Sequence, residues 1–258
     1  MLDALPKNSF FSGAQYFIQG VKLLWHPQLR PYILVPLVVN IFLFVALTSI
    51  LISYLGMFTG GISFDVADWL KPVVDFFLAL LGFVLIVLVL IIYGYSFNII
   101  TNIIAAPFYG LLAEKAEHLL SGKRPAPESL SSMIPRVFKR EIKKLLYFIF
   151  RGMLVILIML LVGFAIPGVG GLLAPLIGLA WSAWCMTIQY ADYPADNHRC
   201  SFTRVRNKLW NSLYSSFGFG GMITACSVIP IVNIVAMPAA VTGGTLFWLN
   251  ELCQEPCE

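Results

Sequence analysis

Charge is what this sequence has least of. Only 12% of its residues are Asp, Glu, Lys or Arg, roughly half the usual share in a soluble domain, whereas 59% are hydrophobic and the mean hydropathy is +0.84. A water-soluble fold of this length is thereby excluded, and an integral membrane protein is expected. Histidine is scarce as well: His26, His118 and His198 stand in separate polar segments, too dispersed to suggest a metal centre. Cys185, Cys200, Cys226, Cys253 and Cys257 form no C-x-x-C pair and read as small apolar residues. The signatures G-x-S-x-G, G-x-x-x-x-G-K-[ST] and H-E-x-x-H are missing, so no catalytic residue, metal, cofactor or nucleic-acid partner is expected. Asp3 and Lys7 interrupt the start of the chain, which argues against a cleaved secretory signal.

What is present divides into apolar runs separated by basic stretches, in one membrane domain over 1–258. Residues 9–25 place Phe10, Ala14, Phe17, Ile18, Val21, Leu24 and Trp25 at helical spacing, the pattern of an amphipathic helix lying in the membrane interface. Two long spans are expected at 32–58 and 73–106. The charge-free run from Phe76 to Ala106 is 31 residues, or ~46 Å as a helix against a ~30 Å hydrocarbon core, so it must tilt or protrude. Pro107 is expected to break it. Residues 107–151 carry nine basic side chains against four acids and are expected to be cytoplasmic and helical. The same rule puts both termini inside and the loop with Asp65 and Asp68 outside.

Residues 152–191 and 211–250 are two charge-free stretches of forty residues. Near the middle of each lies a related string, "IPGVGGLLAP" at 166–175 and "IPIVNIVAMP" at 229–238. The repeat predicts two hydrophobic helical hairpins, each broken by Pro and Gly. Arms such as Gly152–Ile166, 15 residues or ~22 Å, and Ala239–Leu249, 11 residues or ~16 Å, fall short of a full crossing. They are expected to enter the bilayer and turn back, with backbone N–H groups after Pro167 and Pro230 open to an anion. Paired, broken segments of this kind point to a transport site.

Polar side chains at membrane depth sharpen that expectation. Tyr95, Asn98 and Asn102 share one face of the second span, Asn40 lies on the first, and Asn233 falls in the second break. Such amides either bind helices together or replace the water around a passing anion. "GFGG" at 218–221 follows no strand and fits helix packing better than nucleotide binding. "DYPADNHR" at 192–199 reads as a solvated turn-forming loop.

"VPLVVNIFLF", "NIIAAPFYGLLAEKAE", "PRVFKREIKKLLYFIFR", "AIPGVG" and "IQYADYPADNH", in this order over nearly the whole chain, resemble the CysZ family of bacterial inner-membrane sulfate permeases. The resemblance implies sulfate uptake for assimilation into cysteine. It also implies two long transmembrane helices with two pairs of partly penetrating ones. A sulfate site would lie in the loop after the first helix, where relatives often carry Gly-Leu-Arg-Arg. Here the positions read Gln28, Leu29, Arg30 and Pro31, keeping one arginine of two. Glu114 matches a family string and is expected to neutralise Arg151 or Arg140 and shape the entrance. Tyr109 and Arg151 complete the candidate path formed by Asn40, Tyr95, Asn98, Asn102, Glu114 and Asn233.

An all-α membrane permease for sulfate is therefore expected, embedded in the bacterial inner membrane. Two long spans and two short hairpins are few to enclose a hydrated path, which favours a homo-oligomer. An intramembrane enzyme acting on lipid, built on Asp192, Asp196 and His198, and a structural scaffold remain as alternatives.

Overall fold

The computed structural model describes residues 6–58, 67–122, 128–166 and 168–253; within them some helical side chains, those of Asn40, Tyr95, Asn98 and Asn102 included, are not described. In chain order the helices are α1 (Phe10–Leu23), α2 (Arg30–Phe58), α3 (Lys71–Ser121), α4 (Leu130–Ala165), α5 (Gly170–Asn197), α6 (Phe202–Asn211), α7 (Leu213–Ser227) and α8 (Pro230–Phe247), followed by a π-helical turn (Trp248–Leu252). No strand occurs among the described residues. Lys71–Gly94 of α3, Ser131–Ala165 of α4 and Gly170–Asn197 of α5 are each long and apolar enough to cross a bilayer. The chain is an all-α, multi-pass membrane protein, as its composition requires.

Two compact units are present, residues 38–105 and residues 1–37 with 106–258. The first unit consists of most of α2 and the first part of α3, and Thr48 and Tyr93 share a hydrogen bond of 2.7 Å there. Its side chains are otherwise largely exposed apolar ones such as Phe42, Phe76, Leu81 and Ile92. Lipid can cover that surface at no hydrophobic cost, whereas water could not.

The second unit holds the packed core. Here α3 continues without a break through Pro107, contrary to the expected interruption. Proline forfeits one main-chain hydrogen bond, but Ala106, Tyr109, Leu112, Ala113 and Ala116 form a buried stripe at helical spacing across it. That continuous packing outweighs the local loss, and neighbouring helices make such prolines tolerable in membrane proteins.

Both hairpin breaks lie where the repeat puts them, at residues 166–169 and 228–229. The first reverses through Gly168, whose φ of +80° suits a residue without a Cβ. In the second, Ile229 is extended and Pro230 opens α8, a favoured place for proline. The arms of the first hairpin differ from expectation. Because α4 runs back through the basic stretch to Leu130, it has 36 residues, or ~54 Å, and α5 has 28, or ~42 Å. The short 15-residue arm counted only the charge-free part. In the second hairpin α7 has 15 residues and α8 has 18, ~22 and ~27 Å, below the ~30 Å core. Pro238 lies inside α8 rather than bounding it.

Glycine sets how these helices meet. A methyl group on Gly218 would overlap the Phe10 carbonyl of α1, and one on Gly220 would overlap the Ala183 carbonyl of α5. Gly20 and Gly243 permit the same close approach between α1 and α8, and Gly244 between α8 and α5. The "GFGG" string thus serves helix packing, as expected. α1 uses its buried face, with small Ser12, Gly13 and Gly20 around the larger Tyr16, against α7 and α8. Phe10, Phe11, Ile18 and Trp25 remain exposed, the surface an interfacial position would give to lipid. Glu251 joins the ends of the unit, accepting hydrogen bonds from the Asn8 amide, Tyr16 and Ser215. Burial and then the Glu251 carboxylate raise the Tyr16 phenol above its ordinary range.

Candidate functional site

The turn between α1 and α2 positions Gln28, Leu29 and Arg30. Its backbone folds tightly: the Leu29 amide donates to the His26 carbonyl at 3.0 Å and the Tyr32 amide to the Leu29 carbonyl at 3.1 Å. Leu29 is 0% exposed and anchors the turn, while Gln28 and Arg30 face outward. Arg30 opens α2 and makes one long hydrogen bond, 3.4 Å to the Trp25 carbonyl. It has no acidic partner among the described residues. A guanidinium beside the first amides of a helix offers an oxyanion both fork-shaped donors and the positive end of the helix dipole.

A second polar centre lies between α4 and α5. On α4, Arg136, Arg140 and Lys144 recur every four residues; on α5, Asp192 and Asp196 do the same. Helices run antiparallel through the hairpin, so the two rows mesh. Arg140 grips Asp192 through Nε at 2.8 Å and Nη2 at 2.6 Å, and its Nη1 donates to the Cys200 carbonyl at 2.6 Å. Asp196 pairs with Arg136 and, at 3.2 Å, with Arg140. Lys144 pairs with Glu141 at 2.5 Å and Asp192 at 3.4 Å, and lies over the Tyr193 ring at 4.6 Å. Both Lys144 and Asp192 side chains are only 1% exposed. Glu128, just ahead of α4, binds Arg136 at 2.8 Å and Arg199 at 3.0 Å. The hydrogen bonds from Arg136 hold its carboxyl below the ordinary value of 4.5.

The Asp192–Asp196 part of "DYPADNHR" is therefore the buried, charged end of α5 rather than a solvated loop, and Arg199 beyond it is exposed. Cations spaced in register on α4 neutralise what would otherwise force it into water. The same network corrects the expected role of Glu114: Arg140 is held by Asp192 and Asp196, and neither Glu114 nor Arg151 has an ion pair among the described residues. The proposed enzyme set is dispersed too, since both aspartates face α4 cations while His198 pairs with Glu117 at 2.8 Å and stacks on Trp248. Cys200 is disulfide-bonded, which corrects its reading as a small apolar residue.

Of the expected path residues, Tyr109 meets this centre. Its ring stands edge-on to Tyr193 with centroids 5.6 Å apart, and its hydroxyl is 3.7 Å from Met237 Sδ. Asn233 lies in the first turn of α8, half-buried, with its Oδ1 enclosed and unpaired. Asn40, Tyr95, Asn98 and Asn102 have side chains outside the described residues. The broken turns close several of their own donors: Gly170 donates to Ile166 at 2.8 Å, Leu173 to Val169 at 3.0 Å, and Asn233 to Ile229 at 2.8 Å. These amides are not open to an anion.

The two hairpins also have a polar end and an apolar end. In the first, ion pairs occupy one end, and in the second the Glu251 hydrogen bonds do, while Phe164, Leu172, Val228 and Ile229 near the breaks are exposed. Immersing the breaks in lipid and leaving the charged end toward water satisfies both.

Comparison with known proteins agrees with this architecture. Residues 16–238 match the family described as Sulfate transporter CysZ/Etoposide-induced protein 2.4. A protein of Pseudomonas paraeruginosa strain PA7 named Sulfate transporter CysZ is 37% identical over 244 residues, covering 93% of this chain and 95% of that one. One of the same name from Vibrio atlanticus strain LGP32 is 36% identical over 257 residues, covering 97% and 95%. Its namesake from Salmonella typhi is 37% identical over 242 residues, covering 93% and 92%. A match of this extent, carried through both hairpins, places the chain in the sulfate transporter CysZ/etoposide-induced protein 2.4 family.

Proposed function

We propose that this chain passes sulfate across the inner membrane of a bacterium, supplying sulfur for cysteine synthesis. Near-full-length similarity to proteins named Sulfate transporter CysZ carries the reading. Arg30, with Gln28 and the buried Leu29 that shapes the turn, receives the anion. Arg30 suits that task because no carboxylate among the described residues claims it. Asn40, Tyr95, Asn98, Asn102 and Asn233 are the residues that would replace water around the anion, and Tyr109, Glu114 and Arg151 are the remaining contributors to transport. Amides hold a divalent anion more weakly than arginine does, which favours release over retention.

The protein does no covalent chemistry. Its basic segments and both termini face the cytoplasm, as the distribution of Lys and Arg favours. Copies of the chain assemble, because one copy has few spans with which to surround a hydrated path. Sulfate moves passively in this scheme, since the sequence holds no nucleotide-binding signature. Bacteria stripped of sulfate uptake and expressing the chain should accumulate labelled sulfate and grow on it as sole sulfur source. Growth on cysteine but never on sulfate, with the protein correctly inserted, would overturn the proposal.

A further inference from the structure

A pocket of about 280 Å³ opens beside the α4–α5 charge network. Arg136, Lys139, Arg140, Lys143 and Arg199 line it together with Asp196, and the start of α6 closes it through Ser201 and Phe202. The arginines from α4 are already committed: Arg136 to Glu128 and Asp196, Arg140 to Asp192, Asp196 and the Cys200 carbonyl. Lys139 and Lys143 are different. They lie one turn apart on α4, exposed, with no acidic partner among the described residues.

Five cations line the pocket; against them stand Asp196 and, pairing from behind, Glu128 and Asp192. Three acids leave two positive charges uncompensated, and two ammonium groups are free to supply them. At ~30 Å³ per molecule the space has room for about nine waters, so a hydrated tetrahedral anion fits without rearrangement. Ser201 caps α6, its Oγ accepting from the Arg204 amide at 3.3 Å, which puts the positive end of that helix at the pocket.

We propose that this pocket is an oxyanion site, separate from the Gln28–Arg30 turn, that binds a doubly charged tetrahedral group between Lys139 and Lys143, with Arg199, itself paired with Glu128, at its edge. The group is a sulfate or phosphate, free in solution or borne as a phosphomonoester on a lipid. Binding here does not depend on whether the chain conducts sulfate, so the two readings fail separately.

Equilibrium titration of the full chain tests it, in nanodiscs of neutral phosphatidylcholine, with sulfate and with inorganic phosphate. Lys139→Gln combined with Lys143→Gln should weaken anion binding at this site at least about tenfold while leaving thermal stability unchanged, because neither lysine supports the fold. Arg30→Ala should leave that binding step in place. A binding isotherm unaltered by the double lysine variant, or the absence of any step that survives Arg30→Ala, would overturn the proposal. Repeating the titration in nanodiscs containing phosphatidic acid separates the sources. Competition by the lipid supports the site with a membrane headgroup as occupant, and undiminished binding supports it with a soluble anion.

Discussion

Replacing Asp192 by Asn should unsettle the protein more than any other single neutralisation outside the membrane-exposed surface. The carboxylate receives two short hydrogen bonds from Arg140, 2.8 and 2.6 Å, and lies 3.4 Å from Lys144 Nζ. Asparagine preserves shape and one acceptor but removes the charge, leaving Arg140 to share Asp196 with Arg136 and Lys144 to depend on Glu141. Removing one partner of a buried ion pair costs about 3–5 kcal/mol, because the cations left behind remain desolvated. For a chain of this size that corresponds to a fall in melting temperature on the order of 10 °C. Thermal unfolding of purified protein, followed by loss of monodisperse elution, measures it. Combining Asp192→Asn with Lys144→Met should recover part of the loss, a coupling that a double-mutant cycle isolates. Arg151→Gln, which touches no acid among the described residues, serves as the control. A shift of Asp192→Asn no larger than that control, or strictly additive effects in the cycle, would refute the view that this network holds α4 to α5.

Three further outcomes follow from separate observations. Gly220→Ala should destabilise by about 1–3 kcal/mol, since its methyl would overlap the Ala183 carbonyl and the backbones must part. Gly221→Ala, with open space around it, should be neutral or slightly stabilising; equal effects in melting experiments would contradict the packing account. Glu128 has a depressed carboxyl pKa in the folded protein, so its contribution is fully present above the ordinary value of 4.5 and is lost as pH falls through the folded value. Melting measured from pH 6 downward should therefore decline less in Glu128→Gln than in the parent over that window, and parallel profiles would argue against it. Arg30→Ala should lower the initial rate of sulfate uptake about tenfold or more, the scale of one charged hydrogen bond, without changing stability; an unchanged rate would remove Arg30 from the path.

Much of this architecture was legible because lipid imposes simple rules. The charge-free run from Phe76 to Ala106 located the span in α3, whereas α4 and α5, expected as short arms, are long enough to cross as well; the repeated Ile-Pro strings located both breaks to within a residue or two. Pro107 misled because a local penalty was read without the buried stripe from Ala106 to Ala116 that spans it. "DYPADNHR" misled for a related reason: two aspartates near a proline suggest water until matched with Arg136, Arg140 and Lys144 on another helix. That match was available in the spacing, four residues on each side of an expected hairpin. What no spacing reveals is which glycine meets which carbonyl. Gly218 and Gly220 differ by two positions yet face α1 and α5 respectively, a matter of three-dimensional packing alone. The candidate sulfate turn rested on resemblance; the structure adds that Leu29 is its buried anchor and Arg30 its outward cation.

Labelled sulfate entry into liposomes containing only the purified chain tests the central claim most directly. Influx should exceed that of protein-free vesicles, proceed without ATP, and fall when excess unlabelled sulfate, but not chloride, is present. Vesicles with folded, correctly inserted protein that admit no more sulfate than empty ones would contradict it.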